Sequence, residues 1–113
     1  MKYIPFTILS ILFATAISAQ QSPAELVADK IAQKMKDTLQ LSSTLKDALH
    51  TVNMELHQQK IAARQQYPND QQAMSQAIQR VEHSRDSLYR MTLQNDTKWL
   101  LYKEKKASLV NND

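Results

Sequence analysis

Residues 41–70 read LSSTLKDALHTVNMELHQQKIAARQQYPND, and the fold is decided here. Ser42, Ser43 and Thr44 are good N-caps and poor helix interiors, so they interrupt one helix and begin another. Leu45, Leu49, Val52 and Leu56 then come at steps of four and three, and Gln59 and Ala63 continue the series. That spacing makes a coiled-coil-like seam along one helix face. Tyr67-Pro68-Asn69-Asp70 ends it. The proline ring disfavours helical backbone at Tyr67, and Asn69 is placed to cap the next helix. A helix is therefore predicted over 43–66.

Further along, Met74, Ala77, Ile78, Val81, Leu88 and Thr92 share one face of a helix over about 70–92. The short connection makes the two helices antiparallel neighbours. Counting out from the turn sets Leu56 near Val81 and Leu49 near Leu88. Arg85 falls inside this face, where its stem is expected to pack and its head to reach water. Upstream, Ser22 caps, Pro23 sits at the first helical position and Glu25 completes a capping box. Val27, Ile31, Met35 and Leu39 continue that helix over about 23–40. Asn95 or Asp96 caps a last helix over about 96–109, with Trp99, Tyr102 and Ala107 on its apolar side. Lys103, Lys105 and Lys106 suit its C-terminal half through the helix dipole. Val110 to Asp113 reads as a frayed tail. The expected fold is all-α: a long antiparallel helical hairpin with a flanking helix at each end.

The first nineteen residues read as an address. Lys2 is followed by an uncharged, mostly apolar run from Ile4 to Ile17 and by small residues up to Ala19. This is the three-part layout of a secretory signal peptide cut after Ala19. At 14 residues the run falls short of the roughly 20 that span a bilayer, although an uncleaved anchor is the alternative. Cleavage leaves residues 20–113 as a single helical domain with no stable membrane span. The expected location is periplasmic or secreted. Such a chain buries only about 60–65% of its unfolded surface, so a homodimer is expected.

Composition removes most chemistry. With no Gly, the dinucleotide fingerprint and the P-loop are excluded, because both are glycine motifs. With no Cys, disulfides, thiolate metal sites and a cysteine nucleophile are excluded. Three His and no strand–loop scaffold supply no nucleophile elbow, and Glu82-His83 is not a metalloprotease motif. No enzyme activity and no cofactor are expected. The net charge of +3 falls to about +2 with the leader removed, and the basic residues alternate with acids and glutamines. Nucleic-acid binding wants a concentrated basic face, so none is expected.

Away from the seam, the 43–66 helix repeats His50, Met54, His57 and Ile61 at steps of three and four. Three readings stand side by side. They are scattered surface residues, or a second interface for a partner or an unfolded client, or metal ligands, since His and Met suit copper, zinc or nickel. His50 and His57 lie about 10.5 Å apart along the helix, two turns, so one ion would need a third group or a second chain.

The layout resembles the small exported helical proteins of the Spy/CpxP type and their metal-handling relatives ZraP and CnrX. These share a signal peptide, four helices and a twice-repeated Leu-Thr-x-x-Gln at helix starts. Leu41-Ser42-Ser43-Thr44-Leu45 stands at the first place, with Ser for Thr and Leu for Gln, and Leu93-Gln94-Asn95-Asp96-Thr97 at the second, where only Leu matches. The chain is also similar to a group of exported proteins of Bacteroidetes-like bacteria through Val52-Asn53-Met54, Ala62-Ala63-Arg64, Arg85-Asp86-Ser87-Leu88-Tyr89 and Tyr102-Lys103. The resemblance covers about residues 23–108. It implies a dimeric, ATP-independent chaperone or envelope-stress protein whose partners are unfolded or envelope proteins. A metal-responsive protein using His50, Met54 and His57 across an interface is the alternative, and a structural partner-helix protein a further one.

Overall fold

A computed structural model describes residues 22–110 as four helices, with no strand among them. They are α1 (Pro23–Leu39), α2 (Ser43–Gln66), α3 (Gln71–Leu93) and α4 (Asp96–Val110). The signal-peptide reading and residues 111–113 of the tail lie outside the described residues. Val110 itself does not fray: it is helical and buried against the core.

Each helix starts on a side-chain oxygen three residues before the amide it receives. Ser22 Oγ accepts from Glu25 N–H at 3.2 Å, Ser42 Oγ from Leu45 N–H at 3.1 Å, and Asn95 Oδ1 from Lys98 N–H at 3.0 Å. At the third start the cap is Asp70, not Asn69: its Oδ1 accepts from Ala73 N–H at 3.0 Å. The reason is the turn before it. Asp70 N–H bonds back to Tyr67 C=O, so Asn69 is used inside the turn and the helix begins one residue later.

Two helices end in the left-handed region without glycine. Gln40 has φ 56° and Gln94 has φ 48°. The turn after α1 is closed by Leu41 N–H on Lys36 C=O at 3.0 Å. Lys98 Nζ covers the remaining carbonyls, donating to Leu39 C=O at 3.1 Å and Gln40 C=O at 2.7 Å. An ammonium at a helix C-terminus also answers the helix dipole.

Helix α1 packs on α2 and α4, and α3 packs on α2 and α4. The core runs through Ile31, Met35 and Leu39 of α1, Leu49 and Leu56 of α2, Val81, Tyr89 and Leu93 of α3, and Trp99, Tyr102, Leu109 and Val110 of α4. On α3 the buried stripe is Ala77, Val81, Arg85, Tyr89 and Leu93, spaced by four. Leu88 and Thr92, expected in the seam, are half-buried beside it. On α4 Ala107 is exposed, and Leu109 takes the place expected of it.

Polar side chains cross this core. Asn53 of α2 is buried and donates from Nδ2 to Ala28 C=O of α1 at 3.1 Å. Its Oδ1 accepts a hydrogen bond from the Tyr89 hydroxyl of α3. The Tyr89 ring meets Tyr102 of α4 edge-on at 5.1 Å, and Tyr102 stacks on Trp99 at 5.4 Å. Edge-to-face and offset-stacked rings at such distances are the favoured arrangements. One chain of hydrogen bonds and ring contacts thus touches all four helices.

Left-handed backbone strains a residue that carries a Cβ, and glycine relieves that strain. Relief of that strain, roughly 1–2 kcal/mol, outweighs the entropic cost of glycine, roughly 0.5–1 kcal/mol, so Gln40→Gly and Gln94→Gly are each expected to raise stability by up to about 1 kcal/mol in urea unfolding. A loss of stability in both variants would contradict the left-handed caps.

Candidate functional site

Where α1 begins, its side chains do not fill the space between it and α2. Pro23, Ala24, Val27, Ala28 and Ile31 form one wall of a groove of about 280 Å³. Asn53, His57, Lys60 and Arg64 of α2 form the other, and Arg85 of α3 closes its floor. The α1 wall is apolar throughout. The α2 wall and the floor together carry three cationic residues, and no Asp or Glu lines the groove.

The floor departs from the sequence reading. Arg85 is 4% exposed, so its head does not reach water. The guanidinium turns along its own helix to Glu82, at 3.1 Å. Glu82 also accepts from Lys60 of α2. The buried cation is tolerable because this carboxylate is close. Removing one partner of a buried pair typically costs about 3–5 kcal/mol.

Beyond Arg85 and Lys60 lies a more open depression bounded by Glu82, Lys103, Glu104, Lys106 and the end of α4. Beside it, Asp86 of α3 accepts from Tyr102 Oη at 3.2 Å and from Lys106 Nζ at 2.9 Å. Burial, and next the Asp86 carboxylate, push the Tyr102 phenol far above the ordinary value of about 10.

The structure also places the four residues that the sequence picks out on α2. His50, Met54, His57 and Ile61 are all half-buried. His50 faces α1, its Nδ1 lying 3.9 Å from Asp29 Oδ1, the same carboxylate that Lys46 holds at 2.9 Å. His57 lines the groove. Helix α1 packs on this side of α2, and that is why His50 and His57 are not scattered on open surface. Among the described residues no three His, Asp or Glu side chains converge as a metal ion would need. No described helix is long and apolar enough to cross a membrane.

Sequence reasoning assigns no site role to Asn53, Lys60, Arg64 or Glu82, although Asn53 and Arg64 stand in the motifs of the resemblance and Glu82 precedes His83. For Asn53 and Lys60 the signal is spacing alone: Leu49, Asn53, Leu56, Lys60 and Ala63 step by four and three as regularly as the apolar seam does. A comparison with family models, curated proteins and solved structures finds no match for the chain.

Tyr102 carries a pH signature. Its neutral phenol is favoured in the folded chain, whereas the unfolded chain ionises from about pH 10. The stabilisation is therefore whole below pH 10 and is lost as pH rises above it. Tyr102→Phe is expected to cost about 1.5–3 kcal/mol at pH 7, the range for a hydrogen bond to a charged group. In urea unfolding that gap narrows above pH 10; a gap constant from pH 7 to 11 would contradict the buried phenol held neutral beside Asp86.

Proposed function

We propose that this chain is an exported, non-enzymatic binding protein of the Spy/CpxP type, an ATP-independent chaperone or envelope-stress protein. Its clients are unfolded or envelope proteins, met by reversible contact with the outer surface of a homodimer. The leader at residues 1–19 directs it to the periplasm or the exterior. Helices α2 and α3 act as a long antiparallel hairpin, flanked by α1 and α4. The contacts of Asn53 with Tyr89 and of Lys60 with Glu82 support this pairing, because one residue number falls as the other rises.

One observation carries the reading: large apolar side chains stand exposed on otherwise polar helices. Leu26 is 55% exposed, Leu100 63% and Met91 69%. They sit on α1, α4 and α3, with charges of both signs one turn from Leu26 (Asp29, Lys30) and from Leu100 (Asp96, Lys103, Glu104). Arg90 and Lys103 flank the Trp99 ring at 5.8 and 5.9 Å. Unfolded chains present apolar segments with charges of both signs, and a mixed surface of this kind meets both with little specificity.

Light scattering of a heat-unfolded model client, such as malate dehydrogenase, tests it. The protein is expected to suppress scattering at stoichiometric amounts without ATP. A Met91→Ser, Leu100→Ser double variant that keeps its helical circular dichroism is expected to lose most of that suppression. No suppression at a tenfold excess of the parent protein rejects the proposal.

A further inference from the structure

We propose that the groove between α1 and α2 is a binding site for one single-chain carboxylate amphiphile, a fatty acid. Three features of the groove select that chemistry. Its volume of about 280 Å³ lies just below the 300–1,000 Å³ of sites for drug-sized ligands. That is room for one flexible chain and not for a two-chain lipid or a folded segment.

The walls differ in kind. Val27, 42% exposed, and the edges of the buried Ala28 and Ile31 give an apolar lining for a hydrocarbon tail. Burying such a tail gains roughly 0.8 kcal/mol per methylene. Opposite them, Lys60, Arg64 and Arg85 are cationic, and no acidic residue shares the lining. With Glu82 set against Lys60 and Arg85, the three cations still leave a net positive charge, which calls for an anionic head and disfavours a cationic one.

The head-group contact is identifiable. Arg64 is exposed and also lines the groove, so it is the lining cation that a ligand in solvent can reach. Guanidinium matches a carboxylate in a planar two-bond fork, which an ammonium does not. Deeper in, Lys60 and Arg85 already hold the Glu82 carboxylate. The tail then lies along α1 and the head at Arg64.

Isothermal titration of the purified full chain with laurate, below its micelle concentration, tests the assignment. Dodecyltrimethylammonium and dodecyl maltoside carry a tail one carbon longer than that of laurate, with a cationic or neutral head, so the tail by itself would favour them. Laurate is expected to bind saturably, one per chain, and at least tenfold more tightly than either. Arg64→Glu and Val27→Asp on the apolar wall are each expected to weaken laurate at least tenfold. Both residues are exposed, and circular dichroism checks that the variants fold. Lys105→Glu, on exposed α4 surface outside the groove, is expected to change affinity less than twofold. Equal binding of the three amphiphiles, indifference to Arg64→Glu, or no saturable laurate binding overturns the proposal. Client protection is read separately by scattering without laurate, so either proposal can fail while the other stands.

Discussion

The amide of Asn53 is the constraint on which the other contacts depend. A primary amide buried between helices must place its donor and its acceptor, or lose about 1–3 kcal/mol for each group left unmatched. Here the donor reaches the backbone of α1 at Ala28 and the acceptor receives the Tyr89 hydroxyl from α3. Apolar packing is tolerant of small slides between helices, but this pair of bonds is not. A fully satisfied buried polar network selects one arrangement among the many that oily faces permit. With Tyr89 fixed, its ring sets the position of Tyr102, and through Tyr102 that of Trp99.

The same constraint shapes the groove. Ala28 is held against α2 by the Asn53 bond, and Asn53 is itself part of the lining. At Pro23, Ala24 and Val27, α1 offers small or exposed side chains that do not fill the gap. The charged floor has a related origin. Arg85 continues the Val81–Tyr89 stripe, so helical geometry carries it inward whatever its charge. Glu82, three residues before it, and Lys60 across the interface turn a buried cation into a network.

Much of the fold was legible in the sequence because caps and breakers act locally. Ser22, Ser42 and Asn95 cap where their hydroxyls and amide predict, and Pro68 separates α2 from α3. The seam was less legible. Hydrophobic periodicity favoured Val52, Leu88 and Thr92, whereas the structure buries Asn53, Tyr89 and Leu93 one position along. Counting apolar residues cannot reward an asparagine whose partners lie 25 and 36 residues away. His57 was picked out for its spacing, yet the residues around it in the groove come from three helices. Convergence of that kind is a property of packing and leaves no local signature.

A double-mutant cycle between Asn53→Leu and Tyr89→Phe tests the central claim most directly. Urea unfolding of the parent, both single variants and the double variant isolates the coupling between the two side chains. If the amide and the phenol are bonded in the core, each single variant takes away the bond that the other group makes to it. The double variant is then less destabilised than the sum of the singles by about 1 kcal/mol or more. Additivity within about 0.3–0.5 kcal/mol, the behaviour of independent sites, would show that Asn53 does not set the register of these helices.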